Sequence, residues 1–371
     1  MKTLGLYFHI PFCGRKCAYC DFYSVRPQEA WLDEYTRALC ASIRGWSEQA
    51  EDYRVDTVYF GGGTPVLLGA ERLNRVLEEA GRYFSISSEA EITVEANPGE
   101  VTKEMLASLK AGGYHRLSLG LQTAVPEELE ALGRRHSPED AVRAVDWARA
   151  VGFDNLSLDL MLAIPGQTTE SLSRSVEFCY GLGADHISSY LLKVEEGTML
   201  HRRMREGKFV PAEEEAQREF YLQACRELEA KGWQQYEISN FSRPGKESRH
   251  NLRYWDDREY LGIGAAAHSF FRGERFYYPR DFRAFVAGNV PEPDGMGGDP
   301  EEYVMLRLRL TEGVTEQGYR ARFGKEIPLG FRKNAQKYHR AGLLVCDEGG
   351  IRLTREGFLV SNELIGEILY G

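Results

Sequence analysis

No apolar run in the 371 residues is long enough to cross a membrane. The first residues lead straight into Leu4-Gly-Leu-Tyr-Phe8, too short for the apolar region of a secretory signal. A reducing cytoplasm is the expected compartment. Positive charge is in deficit: 46 Lys and Arg against 56 Asp and Glu leave a formal net charge of −10. That balance argues against bulk electrostatic binding of nucleic acid. Cysteine is scarce, with seven in the whole chain. Cys40, Cys179, Cys225 and Cys346 are scattered through apolar-periodic segments, as buried free thiols are. Disulfides are rare in a reducing compartment. The 371 residues are enough for a large core and two domains, and with 43% hydrophobic residues the chain should be globular.

The other three cysteines stand together as Cys13-Gly-Arg-Lys-Cys17-Ala-Tyr-Cys20, a C-x3-C-x2-C run. Cysteine thiolates are the usual ligands of iron–sulfur clusters. Three of them on a [4Fe–4S] cluster leave one iron without a protein ligand, an open position of the kind reactive metal sites keep. Zinc held by the same cysteines and His9 is the alternative. The second ligand pair that zinc sites usually show farther along does not stand out.

Strand-like and helical patterns alternate along the chain. Strands are expected at Leu4–His9, Val55–Phe60, Ile92–Glu95, Arg116–Leu119, Asn155–Met161 and His186–Leu191. Leu32, Tyr35, Leu39, Ile43 and Trp46 mark the first helix by their 3-to-4 spacing, and further helices are expected near 72–83, 103–111, from Ser137-Pro138 onward, 169–180 and 212–231. Such alternation implies parallel strands. Six units are too few for a closed eight-unit barrel, so an α/β partial (βα)6 barrel is expected. Gly288–Pro300 reads as a linker. The following helices, a hairpin around Glu348-Gly-Gly350 and a last helix resemble a winged helix. This tail has no dense basic face and reads as a docking module. The expected domains are 1–290, the barrel with its site, and 291–371.

In parallel α/β folds the site lies at the carboxyl ends of the strands. The cysteines follow the first strand and Gly61-Gly-Gly-Thr-Pro65 the second; Glu95 ends the third, Gln122 lies past the fourth, and Asp159 sits inside the fifth. The glycine loop lacks the lysine of a phosphate loop, but its bare backbone lets a ligand approach closely. Asp159 between two leucines needs a partner, and a ribose hydroxyl pair would serve. Glu95 on its own could as well be a solvated strand-end carboxylate.

The cysteine run followed by GGGTP resembles the radical S-adenosylmethionine (SAM) superfamily. Tyr7-x-His9-Ile-Pro-Phe-Cys13 is similar to the group containing the oxygen-independent coproporphyrinogen III oxidase. The resemblance spans essentially the whole chain. It implies a [4Fe–4S] cluster on Cys13, Cys17 and Cys20, and SAM chelated to the open iron. It further implies SAM contacts from Tyr7, Tyr19, Gly62, Gly63, Thr64, Glu95, Gln122, Arg134 and Asp159, with Lys193 contributing backbone alone. Two departures count against the oxidase's activity: Phe22 stands where the oxidase has a further cysteine, and the arm that precedes its cluster strand is absent here. Tyr236–Phe241 and the HNxxYW stretch His250–Trp255 are instead similar to the HemW group of heme chaperones. That similarity implies heme as cargo, acceptor hemoproteins and an electron donor as partners, and no coproporphyrinogen oxidation. His250 is the candidate axial ligand, with Tyr254 and Trp255 available to pack on the porphyrin, in a site beside the SAM cavity. His250 could equally be a satisfied polar residue in a loop. Two other functions stay open: a radical enzyme acting on a porphyrin, and an iron–sulfur module with vestigial SAM chemistry.

Overall fold

The computed structural model describes residues 1–371. Six parallel strands form its centre: β1 (Lys2–Ile10), β2 (Tyr53–Gly62), β3 (Ser85–Ala96), β4 (Arg116–Gln122), β5 (Asn155–Leu162) and β6 (His186–Leu191). They lie side by side in sequence order. Helices α1 (Glu29–Ser47), α2 (Ala70–Tyr83), α3 (Lys103–Ala111), α4 (Pro126–Leu132), α5 (Pro138–Ala150), α6 (Thr169–Gly181), α7 (Met199–Arg205) and α8 (Glu214–Ala230) connect and follow them. The helix starts obey local chemistry. Thr102 caps α3 through the Met105 amide, and Ser137 with Asp140 forms a reciprocal capping box ahead of Pro138.

β1 and β6 do not pair, so the barrel is open. The sheet continues past β6 into β8 (Asn240–Ser242) and β7 (Gln234–Gln235), both antiparallel. Past β1 it continues into β9 (Tyr260–Ile263), β10 (His268–Phe271), β11 (Glu274–Tyr277) and β12 (Glu292–Met296), giving twelve strands in all. The stretch expected as a linker therefore carries an edge strand, whose five residues are all exposed.

Strand periodicity decides what faces inward. Leu6 and Phe8, Val58 and Phe60, Leu117 and Leu119, and Leu156 and Leu158 belong to the core shared with the helices. The alternate positions are polar: Tyr7 and His9, Thr57 and Tyr59, Thr93 and Glu95, Arg116 and Ser118, Ser157 and Asp159. Contacts such as Tyr7–His9, Tyr59–Glu95 and Ser118–Asp159 join them across the barrel interior.

The tail holds a three-stranded sheet in the order β13 (Val314–Thr315), β15 (Gly350–Leu353), β14 (Leu344–Asp347). Around it stand α11 (Pro300–Arg307), α12 (Glu316–Phe323), α13 (Leu329–Arg340), α14 (Arg355–Leu359) and α15 (Ser361–Tyr370). The remaining helices are α9 (Arg249–Trp255) and α10 (Phe282–Val286). The tail meets the barrel through ion pairs from the end of α9, Asp256 to Arg307 and Asp257 to Arg322. The expected class, a partial six-unit barrel followed by a winged-helix-like tail, is the observed one.

Candidate functional site: a cysteine loop welded to a glycine loop

β1 delivers the chain to the cysteine loop, which is fixed on both sides. The Cys13 amide donates to the Val25 carbonyl (3.0 Å) and the Ala18 amide to the Leu132 carbonyl (3.1 Å), while the Ala18 carbonyl accepts from the Leu200 amide (2.7 Å). All three cysteines are free and half-buried. Burial pushes the Cys13 and Cys20 thiols up. An Arg134 guanidinium N–H lies 3.6 Å from the Cys17 sulfur. Three half-accessible thiols on one loop beside a cation, with a carbonyl-lined root, fit the donor set of an iron–sulfur cluster. No three His, Cys, Asp or Glu side chains stand close enough to hold a single ion. The His9 imidazole meets the Tyr7 hydroxyl through Nδ1 (3.2 Å), and its Nε2 has no partner. Burial lowers its pKa to about 4, so it is neutral.

The glycine loop presses on the root of the cysteine loop. The Gly63 amide donates to the Ile10 carbonyl (2.9 Å) and the Thr64 amide to the Phe12 carbonyl (2.7 Å). A Cβ at position 63 would lie 2.5 Å from the Phe12 carbonyl oxygen. Gly62 has φ +112°, and a Cβ there would strike the His9 ring at 2.7 Å. Asn97 ties the two loops together: its Nδ2 donates to Thr64 Oγ1 (3.0 Å), and its Oδ1 accepts from Arg134 (2.7 Å). Arg134 also reaches the Gly120 carbonyl. Thr64, Asn97, Arg134 and Cys17 thus form one polar chain. Asn97 was not among the expected site residues. Its signal was positional, since it lies two residues after Glu95, on the same face, just past the strand.

Glu95 accepts from the Tyr59 hydroxyl (2.7 Å) and the Gly62 amide (3.3 Å). Burial, with repulsion from Asp159, outweighs these bonds and raises its pKa to about 7. Asp159 receives the Ser118 hydroxyl at 3.5 Å, and burial raises its pKa to about 6. Both side chains sit deep in the barrel yet keep partial access to solvent, as groups lining a cavity do. A cationic ligand would stabilise their charged forms. Gln122 ends β4 rather than following it, with φ 71° in the left-handed region and an unpartnered buried Oε1. Tyr19 packs beside Leu132 and Met161. The Lys193 side chain is exposed and paired to Glu195 (2.7 Å), away from the cavity.

The structure does not bring His250 and Tyr254 to this rim. α9 lies across the amino ends of the strands, the opposite end from the cysteines. Arg249 donates to the carbonyls of Glu89 and Asp56, and Arg253 to that of Thr3, near the starts of β3, β2 and β1. His250 is 1% exposed. Its Nδ1 meets Thr57 Oγ1 (2.8 Å), its Nε2 meets the Tyr254 hydroxyl (2.9 Å), and its amide donates to Glu91 (3.1 Å). Both ring nitrogens are hydrogen-bonded at the floor, not facing the rim where the sequence placed them. The polar inward residues Thr57 and Glu91 recruit the helix to the floor.

The description "Radical SAM superfamily" matches residues 7–179, and "HemN C-terminal domain" matches 299–360. The chain is 35% identical to the heme chaperone HemW of Bacillus subtilis over 98% of both chains. It is 36% identical to that of Mycobacterium tuberculosis over 99% of this chain and 95% of the relative. It is 32% identical to a mitochondrial radical S-adenosyl methionine domain-containing protein 1 of Danio rerio over 98% of this chain and 86% of the relative. In fold it is similar to the coproporphyrinogen III oxidase HemN of Escherichia coli, with a TM-score of 0.84 at 21% identity, covering 100% of this chain and 90% of the other.

Proposed function

Because the chain belongs to the HemW family of the radical SAM superfamily, we propose that it is a cytoplasmic heme chaperone that binds one heme and hands it to acceptor hemoproteins. The barrel rim holds a [4Fe–4S] cluster and SAM, and barrel and tail act as two units, their boundary lying past β12 rather than at the expected 290/291 because β12 belongs to the barrel sheet. The observation that carries this reading is the polar chain Thr64–Asn97–Arg134–Cys17, which fixes the cysteine loop to the glycine loop.

Cys13, Cys17 and Cys20 are the cluster ligands. When bound, the cluster supplies an open iron and a one-electron couple. Gly62, Gly63 and Thr64 present backbone to the methionine end of SAM, and Glu95 receives its ammonium. Asp159 receives the ribose hydroxyls, and Tyr7, Tyr19, Gln122 and Arg134 close the cavity around them. Heme binds away from the floor helix. Phe22, 66% exposed two residues after Cys20, offers an aromatic face near the rim.

An electron donor approaches a basic collar. Arg15, Lys16, Arg135 and Arg203 are exposed there. Of the neighbouring carboxylates, Asp140 and Glu206 are paired with Arg143 and Arg202, and Glu100 accepts from Asn97; Glu130 also lines the collar, which stays net positive. Arg15 and Arg135 line, with Cys17, a cavity of about 300 Å³.

The test is anaerobic reconstitution followed by heme titration and a coproporphyrinogen assay on the same sample. The expected result is about four irons and four sulfides per chain, saturable binding of one heme, and no protoporphyrinogen. Zinc without iron uptake would sink the cluster assignment, and porphyrinogen turnover would sink the chaperone reading.

A further inference from the structure

The HNxxYW stretch sits far from the cysteines, yet its histidine lies against two residues that reach toward the rim. The His250 ring stacks on Tyr59, with centroids 5.1 Å apart and planes at 26°. It also stacks on Tyr7, at 6.2 Å and 28°. The hydroxyl of Tyr59 holds Glu95, and that of Tyr7 holds His9, whose ring abuts Gly62. The imidazole cannot turn freely beneath them, because Thr57 and Tyr254 bind its two nitrogens from opposite sides. Burial and the nearby Arg253 and Arg116 push its pKa well below the usual range, so the ring is neutral and can lie against aromatic faces without a buried charge. A histidine serving packing alone needs two hydrogen-bond partners and nothing more. This one also carries two tyrosines whose hydroxyls end on the cofactor cavity.

We propose that His250 is a positioning residue: from the barrel floor its ring sets the tilt of Tyr59 and Tyr7, and through Tyr59 it places the Glu95 carboxylate that receives the ammonium of SAM. The inference rests on the reading of the rim as a SAM site, and it assigns the family's HNxxYW helix to the cofactor pocket rather than to heme iron. His250→Gln can keep both hydrogen bonds but removes the aromatic face. Tyr59 would then tilt, and its hydroxyl would lose its line to Glu95.

Two readouts decide it. In cluster-free protein, carbon-13 NMR of labelled glutamate follows the titration of Glu95. The charged and hydrogen-bonding groups that act on it are Tyr59, the Gly62 amide, Asp159 and Arg116. Because the Tyr59 hydroxyl favours the ionised form, His250→Gln should raise the Glu95 pKa, as Tyr59→Phe does. In reconstituted protein, His250→Gln and Tyr59→Phe should each weaken SAM binding about ten-fold, and the double variant no further, since residues in one contact chain are non-additive. The heme absorption bands should not move. An unchanged Glu95 titration, additive losses, or shifted heme bands in His250→Gln would overturn the proposal. If the reconstituted wild type binds no SAM, the reading of the rim fails, and the Glu95 titration still decides the positioning role. Should His250→Gln fail to fold, His250→Phe keeps a ring on Tyr59. It should retain the wild-type Glu95 titration with a lower unfolding temperature, and a raised Glu95 pKa there would also overturn the proposal.

Discussion

Glu237 is fully buried, and neither of its carboxylate oxygens reaches hydrogen-bonding geometry with the nearby Ser239 and Asn240 groups. Burial raises its pKa to about 7. A carboxyl raised in the folded state above its unfolded value of about 4.3 holds its proton better when folded. Its contribution to stability is complete at low pH and is lost as pH rises through 7. A shift of this size corresponds to about 4 kcal/mol. Glu237→Gln should therefore recover about 1 kcal/mol at pH 5, just above the unfolded pKa, and up to the full amount at pH 8. Urea unfolding at the two pH values measures it, and equal changes at both would remove the titration as the cause. Asp159 makes the complementary case, since a ligand can stabilise its charge. Asp159→Ala should keep the cluster and weaken SAM binding, read by titration of SAM into reconstituted protein. Asp159 was legible in the sequence because a carboxylate between leucines in a strand demands a partner. Glu237 was not, because Tyr-Glu-Ile-Ser-Asn between short strands has no period that tells a buried carboxylate from an exposed one.

Gly63 and Gly14 separate two meanings of glycine within one pair of loops. A Cβ on Gly63 would stand 2.5 Å from the Phe12 carbonyl, whereas one on Gly14 would meet only Glu100 Oε1 at 3.4 Å. Gly63→Ala must push the glycine loop off the cysteine loop. It should cost roughly 1–3 kcal/mol, as overpacking does, and lower iron and sulfide content after reconstitution. Gly14→Ala should retain both iron and stability although it lies between two cluster cysteines. Equal iron content in the two variants would show that the weld between the loops does not matter. The same scale explains what the sequence revealed. The six core strands and their helices were legible because hydrophobic periods run over six or more residues there, as in Arg116–Gln122 and Thr169–Gly181. β7 and β13 have two residues each, and β12 is fully exposed with Pro293 and Gly295 in it. Such strands exist only because a neighbour offers an open edge, and a tertiary edge leaves no period in the sequence. The floor helix failed differently. Its residues were legible as a motif, but its position depends on Thr57 and Glu91, 193 and 159 residues earlier in the chain.

The charge of the whole molecule constrains how an electron reaches it. At a net charge of −10 the chain repels an acidic carrier from most directions. The collar of Arg15, Lys16, Arg135 and Arg203 reverses that sign locally, beside a cavity that reaches Cys17. An acidic carrier protein, with a reduced flavodoxin as the probe, should therefore reduce the cluster fastest at low salt. The rate should fall steeply as the Debye length shrinks below about 10 Å near 0.1 M ionic strength. The flavin hydroquinone would become the semiquinone, and a cluster held by Cys13, Cys17 and Cys20 would take up the one electron it releases. Arg135→Glu combined with Arg203→Glu should slow this step at least ten-fold at low salt, a change within the range that steering supplies. The variant should also flatten the salt dependence, because the attraction being screened is gone. Dithionite, a small anion that feels the reversed charge but needs no docking face, should be slowed far less than the carrier. Stopped-flow absorbance reads both reactions. If the double reversal slows dithionite equally, the arginines act on the cluster itself. If it slows neither, the carrier docks elsewhere, and the cavity at Cys17 is not the electron's entry.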